Sequence, residues 1–205
     1  MPETLVIFTR YPEAGKTKTR LIPALGAEGA AKAQREMTAL TLRTALALAV
    51  SLQIQIEVRF EGGTEFLFHD WLGDVPSYAP QGGGDLGERL DRAVREHFAN
   101  GAAKLVIIGS DCPRLSEAIL HQAFDSLEWS AVVFGPATDG GYYLVGMRRP
   151  VPELFQGIKW STDSVLADSL AKARQLGIEP ALLEALPDVD VPEDLADWYR
   201  IRQRV

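Results

Sequence analysis

Short apolar runs alternate with segments of helical periodicity along almost the whole chain, and no other feature limits the fold as strongly. Leu5–Phe8, Ile54–Phe60, Leu105–Ile108, Ala131–Phe134 and Tyr142–Val145 have strand length, and Ser77–Ala79 is a shorter candidate. Between them Ala30, Ala33, Met37, Leu40, Thr44 and Ala47 follow the three-to-four spacing of a helix. Glu65–Leu72 reads as a short helix, and Leu86, Leu90, Ala93 and His97 mark another. Ser116 is placed to cap a helix bearing Ile119, Leu120, Ala123, Phe124 and Leu127. Ser161 or Thr162 is expected to cap a helix running to about Gln175, with Gly177 as its stop. Pro192 opens a last helix from its favoured first-turn position.

Strands separated by helices predict an α/β fold, a three-layer sandwich with a mostly parallel central sheet. Leu105–Ile108 lacks polar alternation, as a strand covered on both faces does. No repeat or linker interrupts the 205 residues, so residues 1–205 are expected to form a single domain. Ligands of such sheets bind at the carboxyl ends of the strands. The loops after the strands are therefore where function is sought.

Composition narrows the partners. The net charge of −7 argues against nucleic acid and acidic membranes. No apolar stretch approaches the ~20 residues of a membrane span, and no basic-then-apolar leader is visible, so a cytoplasmic protein is expected. The one cysteine, Cys112, supports neither a disulfide framework nor a cysteine zinc site. It is read as a small buried residue. His69, His97 and His121 lie in helical patterns and are read as structural.

Against this acidic background the stretch Arg10–Arg20 carries four basic residues, Arg10, Lys16, Lys18 and Arg20, and one acid, Glu13. It contains Gly15-Lys16-Thr17, the tail of a phosphate-binding P-loop. The P-loop also needs a glycine five positions before Gly15, where Arg10 stands. Pro23 and Gly26 interrupt the helix that should start at the lysine, and a mid-helix proline costs about 3 kcal/mol. If the segment is extended instead, Lys16, Lys18 and Arg20 alternate onto one side and converge on one polyphosphate.

Four further clusters carry candidate chemistry, three of them after strands and one at the start of the last helix. Asp111 in IGSDCP sits just past Leu105–Ile108, placed either to cap the next turn or to bind Mg²⁺ or Mn²⁺ held by substrate phosphates. Asp139-Gly140-Gly141 suits a hairpin turn, and its glycines would let a ligand come close to the backbone. Asp190 precedes Val191-Pro192 in extended backbone and can pair with Asp111 as a second metal carboxylate, whereas Glu193 and Asp194 suit a helix start. In QGGGDLGERL the glycine run suits either a close backbone approach to a nucleotide, with Gln81, Gly82 and Asp85 as the nucleotide-side candidates, or a flexible loop, and Asp85 and Arg89 lie one turn apart where they can pair.

The order FTRYPEAGKTKTRL, QGGGDLGERL, IGSDCPRL, GPATDGGYYLVG, IKWST and DVDVPEDL resembles one bacterial family along nearly the whole chain. That family comprises candidate glycosyltransferases of the nucleotide-diphospho-sugar transferase superfamily, with a GT-A-like fold, some of them associated with arsenosugar biosynthesis. More distantly the chain is similar to 2-phospholactate guanylyltransferase and molybdenum-cofactor guanylyltransferase.

The resemblance implies that Arg10, Gly15, Lys16, Lys18 and Arg20 form the phosphate loop. It also implies that Asp111 and Asp190 hold Mg²⁺ or Mn²⁺, and that Asp139, Gly140, Gly141, Trp160, Ser161 and Thr162 lie on the acceptor side. Asp111 and Asp139 are the catalytic candidates. Many glycosyltransferases of this fold carry Asp-x-Asp, while here Ser110-Asp111-Cys112 has one aspartate. Two reactions are implied: glycosyl transfer from a nucleotide sugar to a small acceptor, placed first, and nucleotidyl transfer from an NTP to a phosphorylated small molecule, placed second. Base, sugar, acceptor and oligomeric state are not encoded in any motif.

Overall fold

A computed structural model describes residues 2–74 and 76–203. The strands are β1 (Glu3–Arg10), β2 (Gln55–Glu61), β3 (Ser77–Pro80), β4 (Lys104–Gly109), β5 (Val132–Pro136), β6 (Tyr142–Met147) and β7 (Ala181–Leu182). They form one seven-stranded sheet in the order β3-β2-β1-β4-β6-β5-β7. Only β6 runs against its neighbours, pairing antiparallel with both β4 and β5. The helices are α1 (Ile22–Leu52), α2 (Glu65–Leu72), α3 (Leu86–Ala99), α4 (Glu117–Ser126), α5 (Val165–Gln175) and α6 (Leu195–Arg202).

The three layers follow from the two-residue period of the strands. Leu5 and Ile7 of β1, with Val106 and Ile108 of β4, pack under Leu42, Ala45 and Leu48 of α1, Phe68 of α2 and Leu120 and Phe124 of α4. Val6 and Phe8, with Leu105 and Ile107, face the opposite layer, where Leu90 and Val94 of α3 and Ala173 of α5 cover them. β4 is thus apolar on both faces because both are covered. A third cluster packs Leu195 and Trp198 of α6 on Ala33 and Met37 of α1, with Val189 between.

Local signals set most helix ends. Thr64 and Ser116 accept hydrogen bonds from Leu67 N and Ile119 N, each at 3.3 Å. Pro23 lies in the first turn of α1, and Gly26 breaks that helix with φ 71° and ψ 168°. Gly177 stops α5 with φ 70°.

Two local expectations fail. Neither Ser161 nor Thr162 caps α5, which begins at Val165 after an N-cap at Ser164. The Thr162 hydroxyl bonds back to Lys159 O at 2.8 Å instead. The segment after β1 is not extended: Lys18 is left-handed, with φ 50° and ψ 45°, and Thr19–Leu21 is one 3-10 turn.

Candidate functional site

The carboxyl ends of β1, β2, β3, β4 and β5 open onto a cleft of about 790 Å³. Arg10, Lys18, Arg20, Gln81, Asp111, Asp139, Gly141, Trp160, Ser161, Thr162 and Asp190 all line it. Residues 170 positions apart meet here because β4 lies at the middle of the sheet, with β1 and β6 on either side. A smaller hollow of about 480 Å³ beside Arg114 and Asp197 contains none of them.

The phosphate-loop candidates divide. The Lys18 side chain is only 4% exposed, and its ammonium lies 3.1 Å from Asp111 Oδ1 and 3.5 Å from Asp190 Oδ1. The same ammonium donates to Val189 O at 2.7 Å. Arg20 Nη1 takes the other Asp190 oxygen, Oδ2, at 2.7 Å. A backbone bond from Val189 N to Asp111 O at 2.8 Å ties the two carboxylate-bearing loops together. Lys16 points elsewhere: its side chain is 72% exposed and pairs with Glu13 at 2.7 Å. The three-cation convergence expected from alternation is therefore a two-cation one, because the turn at Gly15 (φ 80°) and the left-handed Lys18 break the alternation.

At the ends of β1, β2 and β3, Glu61 Oε2 accepts from Arg10 Nη2 at 2.7 Å and from Arg89 Nη1 at 2.9 Å. Burial pushes the Glu61 carboxyl up, but the two guanidinium groups outweigh it and hold it below the usual carboxylate range. The Gln81 amide is locked by bonds from Nε2 to Thr9 O at 3.0 Å and Arg59 O at 3.1 Å. Asp85 does not pair with Arg89. It closes a capping box on α3, accepting from Glu88 N at 2.9 Å, and lies outside the cleft lining. Gly82 also lies outside it; a Cβ there would fall 2.5 Å from Arg92 Nη1, so that space holds an arginine.

On the other side of β4 stands the β5–β6 turn. Asp139 Oδ1 accepts from Gly141 N at 2.9 Å. Gly140 lies against protein rather than open space: a Cβ there would fall 2.0 Å from Asp163 O, and Leu166 N donates to Gly140 O at 2.9 Å. Its φ of 93° and that contact explain a glycine without any ligand. Trp160 closes this side, packing edge-on to Tyr142 at 6.4 Å.

Asp188, which no motif singles out, also lines the cleft. Burial pushes its carboxyl up to about 7, with Asp139 and Asp111 adding repulsion and Lys18 opposing. Its Oδ1 is buried without a hydrogen-bond partner. The signal was present: Asp188 and Asp190 flank the buried Val189 in extended chain, so both can face the cleft. Also unanticipated is a buried hydroxyl–amide cluster under the cleft, where Gln34 Nε2 lies 3.2 Å from Thr9 Oγ1, 3.1 Å from Thr38 Oγ1 and 3.0 Å from Ser110 Oγ. Asp194 is a cap, its Oδ2 accepting from Asp190 N and Val191 N at 2.9 Å each. Cys112 is buried, and burial is the main cause that pushes its thiol up to about 12, so no thiolate is available there.

Among the described residues, the cleft is lined by four cationic and six acidic side chains. An anionic nucleotide would be repelled from such a surplus of carboxylates unless a divalent cation came with it. Among the described residues no three His, Cys, Asp or Glu side chains stand together as a metal cage. Two carboxylates completed by substrate phosphates is the usual Mg²⁺ arrangement, and Asp111 and Asp190 share one locality, each within 3.5 Å of the Lys18 ammonium.

The whole chain superposes on the crystal structure of a provisionally named nucleotide-diphospho-sugar transferase from Desulfovibrio desulfuricans G20, with a TM-score of 0.89, 32% identity, and coverage of 99% of this chain and 89% of that one. The 2-phospho-L-lactate guanylyltransferase of Methanopyrus kandleri is 32% identical over 103 residues, 48% of this chain and 51% of that protein. The chain thus spans about half the length of the curated relative it matches. Rv0371c of Mycobacterium tuberculosis H37Rv, in complex with manganese, has the same fold at a TM-score of 0.58 and 16% identity over 100% of both chains. The family described as an uncharacterized protein conserved in bacteria, DUF2064, matches residues 41–162, more than half of the sequence. The chain belongs to that bacterial family, and its architecture is the nucleotide-diphospho-sugar transferase fold.

Proposed function

We propose that residues 1–205 act as one cytoplasmic transferase domain that moves a sugar from a nucleotide-sugar donor to an uncharged hydroxyl acceptor, with Mg²⁺ or Mn²⁺. The observation that carries this reading is the division of charge across the cleft. Arg10 and Arg89 stand at the β3-β2-β1 side and Lys18 and Arg20 beside the end of β4, while the β6-β5 side presents Asp139 and Asp163. Among the described residues, the lining contributed by positions 139–165 contains no cation. A diphosphate belongs on the first side, and a neutral acceptor suits the second better than a phosphorylated one.

Asp111 and Asp190 would hold the ion, which when bound supplies charge stabilisation to the diphosphate. Arg20 and Lys18 add hydrogen bonds to the departing diphosphate oxygens, where negative charge grows. The acceptor oxygen bonds to the anomeric carbon as that carbon's bond to the diphosphate breaks, and the acceptor proton passes to Asp139. Gly141 N, bonded to Asp139 Oδ1 at 2.9 Å, fixes that carboxylate and leaves Oδ2 for the hydroxyl.

One observation favours a second reading. The guanylyltransferase relative implies nucleotidyl transfer to a phosphorylated acceptor with pyrophosphate release. Product analysis separates the two. Incubation with nucleotide sugars and hydroxyl acceptors plus Mn²⁺ should release nucleoside diphosphate. Pyrophosphate from an NTP and a phosphorylated acceptor, with no diphosphate from any sugar donor, would replace the first reading by the second.

A further inference from the structure

Lys18 is the most constrained cation of the cleft. It is a non-glycine residue held in left-handed backbone, a strained conformation that persists only where the surroundings enforce it. That conformation delivers a 4% exposed ammonium to one oxygen of Asp111, one oxygen of Asp190 and the carbonyl of Val189. The oxygens it touches belong to the two carboxylates offered to a metal. Any ion bridging Asp111 and Asp190 must share them with this ammonium, a like charge a few ångströms away. Arg20 holds the remaining Asp190 oxygen, Oδ2, so both Asp190 oxygens face a cation.

We propose that Lys18 is a tethered counter-cation that closes the two-carboxylate site to a free divalent ion and yields it only when nucleotide phosphates arrive. This inference rests on the proposed metal site. Without ligand, the ammonium supplies the charge that keeps the facing carboxylates together, and a lone ion gains little by competing with it. Arriving phosphates offer new acceptors to Lys18 and new oxygens to the ion, so the ammonium changes from competitor to phosphate donor. Metal and nucleotide binding are then coupled, each favouring the other. The consequence is an enzyme that ignores free metal and takes the metal–nucleotide complex.

Mn²⁺ alone is the probe. Its binding to the whole chain without nucleotide is followed by electron paramagnetic resonance of the free ion. Wild type should bind weakly. Lys18→Met, and Lys18→Gln as a second variant that stays polar with a shorter reach, should bind Mn²⁺ about tenfold tighter or more, since one like charge at contact distance is removed. Both should melt lower in chelator and recover on adding Mn²⁺. Adding Asp111→Asn to Lys18→Gln should return binding to the weak level.

Unchanged or weaker Mn²⁺ binding in both Lys18 variants, still dependent on Asp111, would overturn the gating role and leave the metal site standing. Tight binding that survives Asp111→Asn would place the ion elsewhere and overturn both. If Lys18→Met does not fold, Lys18→Gln decides.

Discussion

Gly140 offers a quantitative check on how the acceptor side is built. In Gly140→Ala the new Cβ would lie 2.0 Å from Asp163 O and 2.6 Å from Asp163 C, both backbone atoms that cannot swing aside. The residue also sits at φ 93°, where an L side chain costs roughly 1–2 kcal/mol. Overpacking against fixed atoms adds about 1–3 kcal/mol. The expected destabilisation is about 3 kcal/mol, or about 6–12 °C in Tm for a chain of this size. Gly141→Ala is the internal control: its Cβ would meet only the Asp139 side chain at 3.2 Å, and its φ lies outside the left-handed region, so it should cost below ~1 kcal/mol. Urea unfolding of both variants, with unchanged m values, measures the difference. Equal stabilities within ~0.5 kcal/mol would refute the claim that turn and Asp163 backbone are locked together.

Two other expectations concern groups under and within the cleft. Gln34→Leu keeps the volume but strips the amide from the Thr9, Thr38 and Ser110 hydroxyls, and should cost about 2 kcal/mol by urea unfolding. Asp188 holds its proton in the folded protein up to about pH 7, against 3.8 when unperturbed. The fold's preference for the protonated form is fully present below pH 3.8 and is lost as pH rises through 7. In chelator-treated protein Asp188→Asn should therefore raise stability at pH 8 by about 2 kcal/mol and change little near pH 4, as thermal unfolding at both values will show.

Strand and helix order was legible because apolar period and caps act locally. Ser116 caps α4 because a hydroxyl three residues before an amide needs no tertiary context. Leu105–Ile108 announced a strand covered on both faces for the same reason. What stayed hidden depends on long-range contact. Lys16 and Lys18 look alike in sequence, but only a turn at Gly15 and a left-handed Lys18 decide that one meets Glu13 and the other Asp111. Arg89 lies one turn from Asp85, yet it turns to Glu61 on the end of β2 while Asp85 caps the helix. In the sequence Asp188 is one of several acids clustered at positions 188–194. Its burial comes from the 188–190 loop lying along the end of β4, a pairing that no spacing rule reports.

In the proposed function the strand-end cleft binds a nucleotide sugar through a metal on Asp111 and Asp190. Thermal stabilisation by a panel of nucleotide sugars, NDPs and NTPs, with and without Mn²⁺, tests it most directly in wild type and Asp111→Asn. A nucleotide sugar should stabilise wild type by ~2.7 kcal/mol at a hundred times its Kd, only with metal, and Asp111→Asn should lose the effect. Equal stabilisation of Asp111→Asn, or stabilisation indifferent to metal, would contradict it.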